Sequence, residues 1–199
     1  TGNSSARNIT HSLGVTPELI IMKSRSLGES FIVNSTHFTT QTSQYFNLNL
    51  NGALVSVSNF FAAPSSTTFG FGSGAPSEGQ VNRSGETYIA YLFATLDGIS
   101  KVGTYTGAGS GNSVDVDCGF TAGARFVVIK DTEATGDWYV YDSTRGIVSG
   151  NDPILFFNST AAEQSAADDI DPLNAGFTVV SNNSGLNTSG RTYLFLAIA

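Results

Sequence analysis

One pattern is written twice along this chain. Leu19-Ile-Ile-Met-Lys23 followed by Gly28-Glu-Ser-Phe-Ile-Val-Asn34-Ser35-Thr36 returns as Phe126-Val-Val-Ile-Lys130 followed by Gly136-Asp-Trp-Tyr-Val-Tyr-Asp142-Ser143-Thr144. A closing block ends each half, Asn82-Arg-Ser-Gly85-Glu-Thr87-Tyr88 in the first and Asn187-Thr-Ser-Gly190-Arg-Thr192-Tyr193 in the second. The offset is 107 at the lysines (130 − 23), 108 at the glycines (136 − 28) and 105 at the asparagines (187 − 82). Blocks kept in one order with so little drift predict a tandem duplication with small loop changes, so the halves, 1–106 and 107–199, share one fold. Residues common to both halves then most economically serve that fold. A specific site is expected where the halves differ.

The fold class follows from how the apolar residues are grouped. They occur in runs of four to seven bounded by Gly, Asn, Ser and Pro, and with 22 glycines, a single methionine and 13% charged residues the composition favours strands and turns over helices. Seven strands are expected in each half, making an all-β protein of two duplicated antiparallel β-sandwich units, jelly-roll-like and packed together. Leu19 to Met22, Phe126 to Ile129 and Leu194 to Ile198 are apolar without alternation, which predicts strands covered on both faces, whereas Val114-Asp-Val-Asp-Cys118 alternates and predicts one wet face. Core positions expected are Leu19, Ile21, Ile89, Phe93, Phe126, Val128, Leu194 and Leu196. Thr160-Ala-Ala-Glu163 has capping-box spacing and predicts a short helix there.

Charge and cysteine content remove several function classes. The net charge is −7, and the second half carries the whole imbalance, four basic against eleven acidic residues. Such a surface repels phosphate backbones, and no basic cluster with interleaved aromatics occurs, so nucleic acid is not an expected partner. No apolar run approaches the ~20 residues of a membrane-spanning helix, so no membrane insertion is expected. Cys118 is the single cysteine, which excludes an intramolecular disulfide framework and a cysteine zinc site.

Few residue patterns point to chemistry. His11 and His37 are the two histidines, neither recurs in the other half or has a nucleophile motif beside it, and no catalytic residues are expected. Asp168, Asp169 and Asp171 form the densest carboxylate cluster, with Asp152 and Glu163 nearby. The cluster lacks the glycine and terminal glutamate of a calcium loop, and neither metal nor cofactor is expected. A carboxylate-dependent glycan-active enzyme, using Asp142 or Asp168 to Asp171, is the rival from another class. Asn8, Asn34, Asn82, Asn158 and Asn187 stand in Asn-x-Ser/Thr triplets, which so polar a sequence generates by chance. Trp138 is the single tryptophan and Arg145 lies seven residues on. In the 108-residue alignment their counterparts are Ser30 and His37, so Trp138, Asp142 and Arg145 are the candidate glycan-binding residues, a ring to stack on a sugar and charged groups to bond its hydroxyls.

Gly103-Thr-Tyr-Thr-Gly-Ala-Gly109, then Gly119-Phe120, Phe126-Val-Val-Ile-Lys130, Gly136-Asp-Trp-Tyr-Val-Tyr-Asp142-Ser-Thr-Arg145-Gly146, Gly176-Phe177 and Ser189-Gly-Arg-Thr-Tyr193, together resemble a repeat domain of uncharacterised function found in tailed-phage virion proteins. The first half matches through Gly14-Val-Thr-Pro17, Ile20-Ile-Met-Lys23 and Ser84-Gly-Glu-Thr-Tyr88 and departs at Ser30 and His37. The resemblance implies a non-enzymatic structural module of the virion: a tail fibre, tail tip or head decoration, homo-oligomeric with a trimer favoured, in contact with other virion proteins and with a possible host surface glycan. An extracellular adhesin or filament subunit of a cell is the alternative within the same structural class.

Overall fold

A computed structural model describes residues 1–75 and 80–199. It resolves into two compact units, Thr1–Asn49 with Leu54–Ala94, and Thr95–Ala199 with the short segment Leu50–Ala53. The division falls after Ala94, not after Thr106. Ser100–Thr106 is a strand (β9) that pairs along seven residues with Thr192–Ile198 (β17), and so belongs to the second unit.

Each unit is a pair of antiparallel sheets enclosing an apolar core. In the first, the larger sheet runs β5–β4–β3–β2–β8, built from β2 (Leu19–Ser24), β3 (Ile32–Ser35), β4 (Gln44–Asn47), β5 (Val55–Ser56) and β8 (Tyr88–Phe93). The smaller runs β1–β7–β6, from β1 (Arg7–Thr10), β6 (Phe61–Ala62) and β7 (Thr68–Phe71). Ile20, Met22, Ile32 and Tyr45 of the larger sheet meet Phe61, Phe69 and Phe71 of the smaller. That is the sheet-on-sheet burial expected of a sandwich.

The second unit has the same strand order with one strand added. Its larger sheet runs β14–β13–β12–β11–β17–β9, from β11 (Phe126–Asp131), β12 (Tyr139–Asp142), β13 (Asp152–Phe156), β14 (Gln164–Ala167), β17 and β9. Its smaller runs β10–β16–β15, from β10 (Val114–Asp117), β15 (Ile170–Leu173) and β16 (Gly176–Val179). Val127, Ile129, Tyr141 and Phe195 close on Val116, Ile170, Phe177 and Val179. One helical turn, α1 (Ser184–Asn187), precedes β17 and carries the buried Leu186 and Asn187.

Register agrees residue by residue between the units. Lys23 lies opposite Ile89 as Lys130 lies opposite Leu194, and Leu19 lies opposite Ser35 as Phe126 lies opposite Asp142. The last pair fixes an offset of 107 on β3 and β12 (142 − 35), so Ser35 is the counterpart of Asp142. Phe31 (138 − 107) is then the counterpart of Trp138. The expected pairing of Trp138 with Ser30 was one residue out, because it was anchored on Gly28 and Gly136, which stand one position apart in loops of equal length, 25–31 and 132–138.

Three further expectations change. The stretch at Thr160–Glu163 is exposed and forms no helix. Gln164–Ala167 instead pairs with β13, since a capping box produces a helix only where an apolar stripe has something to pack on. Ile89, expected in the core, is 40% exposed, because β8 ends its sheet whereas its counterpart β17 lies between β11 and β9. Ile21, Phe93 and Phe126 are only half-buried, while Leu19, Val128, Leu194 and Leu196 are buried as expected. β11 and β17 are buried on both faces, and on β10 Val116 is buried between exposed Asp115 and Asp117, as their sequence patterns require.

Candidate functional site

The three candidate glycan-binding residues do not form an open platform. Trp138 sits immediately before β12 and is 3% exposed, so its ring is a packed side chain and not a stacking surface. Its backbone N–H donates to Asn158 Oδ1 at 2.8 Å, and Asn158 Nδ2 in turn donates to Asp137 Oδ1 at 2.7 Å. Asp142 ends β12, and its Oδ1 accepts the backbone N–H groups of Thr144 and Arg145 at 3.0 Å, turning the chain. Ser35 makes the matching turn in the first unit, its Oγ accepting from His37 N–H at 3.2 Å. Arg145 forms an ion pair with Asp142 and lies 3.4 Å from Glu163. Its guanidinium is shared by two carboxylates on the surface, away from any exposed ring of the trio.

The acidic cluster divides between solvent and core. Asp168 is exposed and Asp171 half-buried, whereas Asp169 is 2% exposed, accepting from Tyr141 Oη at 3.0 Å and from Ser181 Oγ. Burial, reinforced by the Asp169 carboxylate, holds the Tyr141 phenol well above its ordinary range. Asp152 is buried, with Oδ2 accepting from the N–H groups of Asp169 and Ile170 and Oδ1 from that of Val148. Burial pushes the pKa of its carboxyl up and those three donors oppose the shift. Among the described residues no three His, Cys, Asp or Glu side chains are placed to hold a metal ion. Carboxylates committed in this way to backbone and hydroxyl donors order the core of the second unit.

The residues that both halves share are likewise bonded into the fold. Asn187 is 2% exposed. Its Nδ2 donates to the carbonyls of Asn112 (2.8 Å), Ser181 (3.0 Å) and Gly109 (3.3 Å), and its Oδ1 accepts from Ala108 N–H at 2.8 Å. Asn82 does the same in the first unit, donating to Ser5 O at 2.7 Å and accepting from Asn3 N–H at 3.2 Å. Tyr193 Oη accepts from Thr188 N–H at 2.8 Å, as Tyr88 Oη accepts from Arg83 N–H at 3.0 Å. Gly107 N–H donates to Arg191 O as Gly2 N–H donates to Glu86 O. A Cβ on either glycine would lie 2.2 to 2.3 Å from a backbone carbonyl oxygen, so only glycine fits. The closing block is therefore a staple holding the chain that enters each sandwich. The signal for it was visible in the sequence as the closing block shared by both halves, though its spacing does not reveal which atoms it joins.

Lysine is the other shared feature. Lys130 is fully buried, with Nζ donating to Gly136 O at 2.5 Å and to Asn51 O at 3.4 Å, and Lys23 Nζ donates to Leu27 O at 3.0 Å. Burial lowers the Lys130 amine to about 8, against the opposing pull of Asp131 and Asp137. Cys118 is also buried, and burial pushes its thiol up to about 12, which leaves no reactive thiolate.

Across residues 1–199 the chain matches the family described as Domain of unknown function (DUF7483), and it belongs to that family. No curated protein and no solved structure matches it.

Proposed function

We propose that this member of a family of unknown function is a non-enzymatic structural module of a phage virion, part of a tail fibre, tail tip or head decoration. It works as a homo-oligomer, with a trimer favoured, beside other virion proteins. The observation that carries the reading is the use made of the shared residues. Asn82 and Asn187, Tyr88 and Tyr193, and Lys23 and Lys130 are each bonded to backbone groups, so what the two halves have in common maintains a duplicated scaffold. The resemblance of the block order to virion repeat domains supports the setting. Glycan attachment through Trp138 draws no support from its packing.

Gold-labelled antibody against the chain, applied to intact phage particles from a host carrying its gene, tests the location. Decoration of tails or heads is the expected result, and label confined to host cells would favour the cellular adhesin reading. Light scattering of the purified protein tests the assembly. A concentration-independent monomer would sink the oligomer.

A further inference from the structure

Arg125 and Glu18 occupy the same backbone position in the two units and carry opposite charge. Arg125 N–H donates to Ile198 O at 2.7 Å and its carbonyl accepts from Ser143 N–H at 2.8 Å, just as Glu18 N–H donates to Phe93 O at 2.8 Å and its carbonyl accepts from Thr36 N–H at 3.0 Å. Glu18 has a basic neighbour, its Oε1 lying 4.0 Å from His37 Nε2. Of the other arginines of the second unit, Arg145 and Arg191 are paired with carboxylates. Arg125 is exposed and has no carboxylate partner among the described residues.

Arg125 borders a cavity of about 310 Å³. Its side-chain lining is polar at Arg125, Ser143 and Asn174 and apolar at Ile147, Pro172 and Leu173. The walls are fixed by the fold. Gly123 N–H donates to Asn174 O at 2.9 Å and Ala124 N–H to Gly176 O at 2.8 Å, tying the chain that enters β11 to the β15–β16 turn. Gly123 has a φ of +80°, and a Cβ there would lie 3.1 Å from Leu173 O, so glycine lets the two segments close on each other. Ile147 packs against the core of the second unit. The side chains of Arg125, Ser143 and Asn174 bond no other protein group among the described residues. A concave, partly apolar, preformed space on which a few uncommitted polar groups converge is the usual form of a small-molecule site.

We propose that this cavity binds a carboxylate-bearing sugar of the uronic acid class. The Arg125 guanidinium presents a planar fork of donors that matches a carboxylate in two parallel hydrogen bonds. One cation in a half that carries eleven acidic residues against four basic suits a monoanion, whereas the second charge of a phosphate would meet only repulsion. The Ser143 hydroxyl and the Asn174 amide each donate and accept, as ring hydroxyls require, while Ile147, Pro172 and Leu173 cover the apolar face of the ring. A simple aliphatic acid would leave Ser143 and Asn174 unused. The volume lies at the low end for ligand pockets and takes one ring rather than a chain of them. The first unit offers no second copy of the site, because Glu18 repels a carboxylate where Arg125 attracts it. Binding here is a property of the isolated protein and is independent of the virion assignment, so either can fail alone.

Titration of the full chain with glucuronate, followed through its amide and guanidinium NMR resonances, tests the site. Saturable shifts at Arg125, Ser143 and Asn174 are expected. Glucose, which has the ring without the carboxylate, should bind about tenfold or more weakly, since the charge-assisted pair is lost. Arg125→Glu reverses the charge at an exposed position and should lose glucuronate binding by at least as much while melting like the native protein. Arg25→Glu, the same change of net charge at an exposed position of the first unit, should bind as the native protein does. Several results would overturn the proposal: no saturable shift at the cavity, acetate or glucose binding as tightly as glucuronate, phosphate or the free carboxyl terminus of an apolar peptide binding more tightly, or equal loss in both variants, the mark of a long-range field. The native protein with the ligand series decides the matter even if Arg125→Glu fails to fold.

Discussion

Asparagine suits the staple because one short side chain offers both donors and an acceptor, so it can bind a passing chain on both its N–H and C=O sides. Removing it leaves several buried backbone groups unpaired. Asn187→Ala should therefore cost about 2 to 4 kcal/mol in urea denaturation, with Asn82→Ala, which has fewer partners, costing less. A loss below about 0.5 kcal/mol for Asn187→Ala would show that water replaces the amide. Lys130 gives a pH signature. Below about 8 its amine is charged in the folded and unfolded states alike and the burial penalty applies in full. Between about 8 and 10.5 the folded amine is neutral while the unfolded chain still binds the proton, so its contribution to stability rises with pH. The stability difference between the native protein and Lys130→Met should grow across that window, and a flat difference would refute the shifted amine. Trp138→Ala should lower stability by about 3 to 5 kcal/mol, read by thermal melting, because it empties a packed site. A variant that melts normally but loses ligand binding would restore the glycan reading.

At the level of strands, position in the sheet decides what an apolar residue is worth. Leu194→Lys, in a strand flanked on both sides, should unfold the second unit, whereas its counterpart Ile89→Lys should shift the urea midpoint little, by under about 1 kcal/mol. Equal effects would mean that β8 is covered in solution. The sequence pattern could not distinguish Ile89 from Leu194, since both lie in apolar runs and burial depends on whether another strand follows across the sheet. Runs rich in β-branched and aromatic residues were legible as strands, and so was the alternation of Val114 to Asp117. β14, exposed over Gln164 to Ala166, β15, interrupted by Pro172, and the two-residue β6 were not, because each is held by its neighbours and has no apolar period of its own. The counterpart of Trp138 was misassigned for a local reason. Counting residues through the Gly28 and Gly136 loops slipped Trp138 by one position, and in a strand one position exchanges the two faces.

For the whole molecule, the single tryptophan makes the two units separately observable. Trp138 lies in the second unit, so its fluorescence follows that unit, while far-ultraviolet circular dichroism follows the strands of both. The first unit has a cavity beside its terminal strand where the second has a stacked tyrosine pair, so it should open first. The dichroism transition should begin at lower denaturant than the fluorescence transition, and coincident curves would mean that the units unfold as one. The paired staples also make the protein a differential instrument. Asn82→Ala and Asn187→Ala are the same chemical edit to one polypeptide, so purification history, buffer and heating rate can be matched between them. Any disparity that survives measures what surroundings add to an identical bond.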